Sequence, residues 1–108
     1  MGLILLVMGC ACEIPPDGDF PEGIYNGLDG ERLRVRMDGT GELQLGCTIW
    51  VAEDPIPVAD GGFEVEMVTD EFLAVFSGSI CGEDVRAELD GRRLELQLER
   101  DNAMGSCD

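Results

Sequence analysis

From Gly23 onward the chain consists of short stretches in which apolar and polar residues alternate, separated by Asp-Gly and Gly-rich turns. That period of two is the signature of half-buried β-strands joined by tight hairpins, and no stretch of helical period competes with it. The apolar positions fall at Ile24–Leu28, then at Leu33, Val35 and Met37, then at Leu43, Leu45, Cys47 and Ile49, followed by a short stretch at Ile56–Val58. After Asp60-Gly61-Gly62 come Phe63, Val65 and Met67, then Phe72–Ile80, then Val85, Ala87 and Leu89, and finally Leu94, Leu96 and Leu98. The pattern predicts about eight strands. Asp29-Gly30, Asp38-Gly39 and Asp90-Gly91 supply the turn residues that let consecutive strands pair antiparallel. A meander of this size exposes two edges unless it closes, so the expected fold is all-β, a small barrel or sandwich spanning residues 23–108.

Such a domain has a limited core and gains from covalent links. The chain has five cysteines, Cys10, Cys12, Cys47, Cys81 and Cys107. Setting Cys10 aside for the reason given below leaves four, which can form two disulfides in an oxidising compartment. Because an even-stranded meander returns its termini to one end, the favoured pairing is Cys47–Cys81 with Cys12–Cys107. The alternative is Cys47–Cys107 with Cys12–Cys81. The wide spacings, with no histidine in the chain, argue against zinc.

The amino terminus reads differently. Residues 3–8, Leu-Ile-Leu-Leu-Val-Met, are apolar and far shorter than a bilayer span. They end at Gly9-Cys10, and Val7-Met8-Gly9-Cys10 resembles the lipobox of bacterial lipoproteins. The resemblance implies a signal peptide over residues 1–9, fatty acylation (palmitate) of Cys10, and a lipidated tether over residues 10–22, whose Pro, Gly and acidic residues suit a linker. It also implies a cell-envelope location. Ala11 after the acylated cysteine points to the outer membrane, with the domain facing the periplasm or exterior. The competing reading makes residues 1–12 the first strand of the barrel.

Composition narrows the function. The chain carries 23 acidic and 7 basic residues, a formal net charge of −16. That charge repels a phosphate backbone, so no nucleic-acid partner is expected, whereas a basic protein would be attracted. All the basic residues are arginines, and histidine and lysine are both missing. An enzyme is therefore not expected, and no cofactor or metal centre is implied; the acidic turns lack the ligand spacing of an EF-hand loop.

Two features stand out as candidate binding positions. Arg32, Arg34 and Arg36 alternate with Leu33, Val35 and Met37, so they line one face of a strand and offer bidentate contacts to a carboxylate or phosphate. The bland reading pairs them with carboxylates such as those of Glu64 and Glu66 on a solvated face. Trp50 has opposite parity to Leu43, Leu45, Cys47 and Ile49, so an unbroken strand would aim it outward as a partner anchor, while a break at Gly46 would return it to the core. The segment Phe72–Cys81 is apolar on both faces. If Cys81 points inward, Phe72 and Phe76 point outward; if Gly78 allows a bulge, both rings fill the core.

Residues 23–107, opening with Gly23-Ile24-Tyr25-Asn26-Gly27 and carrying a cysteine close to their end, resemble small cysteine-containing β-barrel lipoproteins of unknown function. The resemblance implies an architecture and no activity. Lipid-anchored inhibitors of C-type lysozymes are also small barrels, but their Ser-Gly and Tyr-containing loop motif is missing here. The expected role is a membrane-anchored, non-enzymatic binding or structural module of the envelope; the alternative is an inhibitor of a basic secreted enzyme such as a lysozyme or protease.

Overall fold

A computed structural model describes residues 12–99; Cys10, Cys107 and the expected signal peptide lie outside the described residues. Ten strands form one antiparallel sheet: β1 (Gly18–Asp19), β2 (Gly23–Gly27), β3 (Arg32–Val35), β4 (Gly41–Leu45), β5 (Thr48–Ala52), β6 (Pro57–Ala59), β7 (Gly62–Val68), β8 (Leu73–Cys81), β9 (Asp84–Leu89) and β10 (Arg92–Glu99). Eight of them close on themselves in the order β2-β3-β4-β5-β7-β8-β9-β10, with β10 returning to β2, while β6 and β1 extend outward from β7. The expected all-β barrel is therefore present. Among the described residues no helix is long and apolar enough to cross a membrane.

Two strands come in addition to the eight expected: β1 lies upstream of the first expected strand, and Gly46 divides the stretch read as one strand from Leu43 to Ile49. Gly46 has φ +64°, and Gly46-Cys47 form a two-residue turn between the paired residues Leu45 and Thr48. A glycine at the first position of such a turn matches the twist of the strands it joins. The turn also resets parity. Trp50 lies opposite Leu43 and packs, half-buried, against the core, while Ile49 faces outward.

Inward-facing side chains fill the barrel. Leu33, Leu43, Met67, Phe76 and Val85 have no exposure, and Phe20, Tyr25, Phe63 and Phe76 form a run of ring contacts with centroids 5.0–5.4 Å apart. Phe20 belongs to the stretch expected as a tether. It is anchored by a hydrogen bond from its N–H to the Ile56 carbonyl, 2.9 Å, and β1 pairs with β6, so packed structure begins upstream of residue 23.

β8 runs without a break. Ala74, Phe76 and Ile80 face inward, whereas Leu73, Val75 and Cys81 face outward and Phe72 lies exposed at its start. Neither alternative for this segment is met in full, because Cys81 finds its partner outside the barrel instead of in the core. The partner is Cys12, with Cα atoms 5.2 Å apart. Both favoured pairings, Cys47–Cys81 and Cys12–Cys107, are thus corrected, since the observed bond is that of the alternative set, and the reason is topological. Alternating strand direction puts the turn at Cys47 and the end of β8 at opposite ends of the barrel. Cys47 is itself disulfide-bonded. The Cys12–Cys81 link joins residues separated by 69 positions, which in a chain-entropy account is worth about 4 kcal/mol.

A close approach at Gly78 permits the curvature of β8 against β9. A Cβ at this position would run into the Arg86 carbonyl oxygen and lie 2.7 Å from the Ala87 Cα, both of them backbone atoms. Gly78→Ala is therefore expected to lower stability by about 1–3 kcal/mol, read from the urea midpoint at unchanged m-value. A change below 0.5 kcal/mol would contradict the contact.

Burial pushes the Tyr25 phenol from 10.0 up to about 12, and its hydroxyl donates to the Pro21 carbonyl, 3.0 Å. The folded value lies above the unfolded one. The contribution of this phenol to stability is thus complete below the unfolded value and is lost as pH rises towards the folded one. Phenolate absorbance of the native protein should rise with a midpoint near 12; a midpoint at the ordinary tyrosine value would show the ring to be solvated.

Candidate interaction surface

The barrel has two distinguishable ends. One carries the start of β2, the β8–β9 turn and the segment entering from Cys12, which is held by the Cys12–Cys81 disulfide and by a 2.7 Å hydrogen bond from the Gly82 N–H to the Glu13 carbonyl. This is the Cys12 end. The far end carries the β2–β3, β4–β5, β7–β8 and β9–β10 turns.

Exposed apolar side chains are distributed unevenly over this frame. Leu28 and Met37 stand singly in turns, as is ordinary for a small protein. Ile49, Phe72, Leu73 and Val75, by contrast, are 50, 64, 60 and 42 % exposed and lie on neighbouring elements of the outer wall. Register explains the grouping. Val51 on β5 pairs with Val68 on β7, and Val68 pairs with Leu73 on β8, so three outward aliphatic residues form a row across three strands. Ile49 flanks the row on β5 and Val75 on β8.

A groove opens within this wall because β5 and β7 are bridged at only one pair, Val51↔Val68. The edge of β7 nearer its start is paired with β6 instead, through Phe63 and Gly62. Beyond Val51 the remainder of β5 diverges from the β7–β8 turn around a space of about 750 Å³, lined by Ile49, Val51, Val68 and Phe72 and by the carboxylates of Glu53, Asp70 and Glu71. Among the described residues no arginine lines it. The turn is internally braced: the Thr69 hydroxyl oxygen accepts from the Glu71 and Phe72 N–H groups at 3.2 and 3.0 Å, and the Thr69 N–H donates to the Phe72 carbonyl at 2.8 Å. Phe72 is therefore held outward by local backbone geometry. Chemically the groove can seat an apolar side chain, with acidic groups at its margin.

The arginines read from the sequence lie on the wall to one side. Arg36 pairs with Glu42 at 2.7 Å, and Arg32 and Arg34 border a shallow depression of about 100 Å³ with Glu42, Gln44 and Ile49. Glu64 and Glu66 lie on β7, opposite Ser77 and Val75, away from these arginines. Trp50 turns its ring towards the core rather than out to a partner. Asp38 caps the turn after β3. The Thr40 hydroxyl and N–H both donate to it, at 2.6 and 3.0 Å, holding its carboxyl below the usual range. Among the described residues no three His, Cys, Asp or Glu side chains converge as metal ligands.

Sequence reasoning did not single out Ile49, Val51, Val68, Leu73 or Val75. The usable signal was the apolar content of both faces of β8, which required one face to lie in the open; parity within that segment alone did not say which. The placement of Trp50 predicts native emission shifted to the blue of the urea-unfolded protein, with partial protection from acrylamide. Emission like that of free indole would put the ring in solvent.

Comparison with known protein families, characterised proteins and solved structures finds no match to this chain.

Proposed function

We propose that this protein is a lipid-anchored module of the bacterial cell envelope that binds a partner on the outer wall of its barrel and carries out no chemistry. The observation that carries this reading is the separation of the two ends. Residues that follow the lipobox-like Cys10 enter at one end, and the apolar groove opens towards the other, so an anchor at Cys10 would display the groove away from the membrane. The filled core supports binding on the outside rather than in a lumen. Barrels that carry small ligands keep an interior space, whereas here aromatic and aliphatic side chains occupy it. Inhibition of a basic secreted enzyme is one form such binding would take, and the acidic rim favours it over binding of an anion.

Anchoring and binding can be tested in the same cells. Cys10→Ala is expected to shift the protein from the membrane fraction to the soluble one. A photo-crosslinking residue at Phe72 should give a discrete adduct that the same residue at Arg93, exposed on β10, does not. Retention of the Cys10→Ala protein in membranes would sink the anchor. No adduct from Phe72 in an otherwise normally located protein would sink the binding role.

A further inference from the structure

We infer that the groove between β5 and the β7–β8 turn accepts an apolar side chain flanked by cationic residues on a basic protein, the rim carboxylates of Glu53, Asp70 and Glu71 receiving the cations. This rests on the binding role proposed above and adds the site and the chemistry of the partner.

Three observations converge on it. Apolar residues make up much of the lining, Ile49 and Val51 on β5 with Val68 and Phe72 across from them and Thr48 and Thr69 among them, and Leu73, paired with Val68, continues the row beside the groove. Such exposed patches rimmed by polar groups mark association sites. Among the described residues that line the groove, the charged ones are all acidic, Glu53, Asp70 and Glu71, with Glu66 opposite Val75; Arg36 is engaged by Glu42, and Arg32 and Arg34 border the separate depression on the other side of Ile49. A further main-chain contact is also on offer. The two-residue turn makes Leu45 and Thr48 a hydrogen-bonded pair, so by alternation the Ile49 amide and carbonyl face away from β4 and towards the groove.

The charge also selects the occupant. A second copy would bring another acidic rim, on a chain of net charge −16, against the first. An uncharged apolar segment would leave the carboxylates partly desolvated without a counter-charge, which is costly. A cationic segment with an apolar centre satisfies both the floor and the rim, and in such an arrangement electrostatics sets partner choice and on-rate while the apolar anchor supplies most of the affinity.

The test uses the isotope-labelled domain with its disulfides intact and two synthetic peptides, Lys-Lys-Leu-Phe-Leu-Lys-Lys and its counterpart with glutamate in place of lysine. The lysine peptide is expected to shift the amide resonances of Ile49, Val51, Val68 and Phe72, with a Kd weakened at least tenfold between low and high salt. The glutamate peptide should not bind. Asp70→Lys with Glu71→Lys leaves the chain strongly acidic overall, and is expected to reverse the preference at the groove. Leu73→Ser should weaken binding while preserving the native spectrum elsewhere.

Equal binding of both peptides, no binding of either, shifts spread over the acidic surface, or an unchanged preference in the double variant would each overturn the assignment. So would concentration-dependent dimerisation shifting the same resonances, which would make a second copy the occupant. A Phe72 adduct in cells combined with failure of the lysine peptide would defeat only the cationic chemistry; absence of both would remove the binding role as well.

Discussion

Pairing of Gly23–Gly27 with the later part of Arg92–Glu99 joins the two ends of the meander, and most of the molecule depends on that closure. An open sheet of these strands would expose an apolar inner face and two unpaired edges, neither of which a chain this short can cover with other elements. Closing the sheet gathers the inward residues of every strand around one axis, where the ring contacts from Phe20 to Phe76 can form. Closure also demands curvature. Gly78 meets that demand by letting the β8 and β9 backbones approach more closely than any side chain would allow.

Closure is weakest where β5 meets β7. β7 divides one edge between two partners, β6 near its start and β5 near its end, so only Val51 and Val68 bridge the barrel at this point. The extra pair of strands, β1 and β6, brings Phe20 and Ile56 into the core at the Cys12 end. Its consequence on the outer wall is the groove. A feature that helps complete the core at one end therefore opens a groove towards the other, and both arise from the way β7 distributes its hydrogen bonds.

The Cys12–Cys81 disulfide gives this asymmetry a direction. It fixes the incoming chain to the end of β8, and the hydrogen bond from Gly82 to Glu13 extends the attachment by one residue. The chain is thus tied down at one end of the barrel, and the groove opens towards the other. In the binding role proposed above, the acidic residues would make the groove selective, because like-charged partners are repelled before they reach its apolar lining.

Much of this was legible in the sequence. The alternation of apolar and polar residues determined that the protein is β throughout, and turns such as Asp90-Gly91 determined that successive strands pair, because these are local properties of a few adjacent residues. The core membership of Leu33, Val35, Leu43, Phe63, Met67, Val85, Leu94 and Leu96 followed from the same alternation. Tertiary structure decided the rest. Whether Gly46 begins a turn depends on the strands it joins, and that one turn sets the direction of Trp50 and Ile49 and places Cys47 at the far end. Which face of β8 lies outside depends on how the barrel closes, because both faces are apolar and local preference is equal. The disulfide partner of Cys81 and the groove itself are matters of which distant strands become neighbours, and no local pattern encodes that.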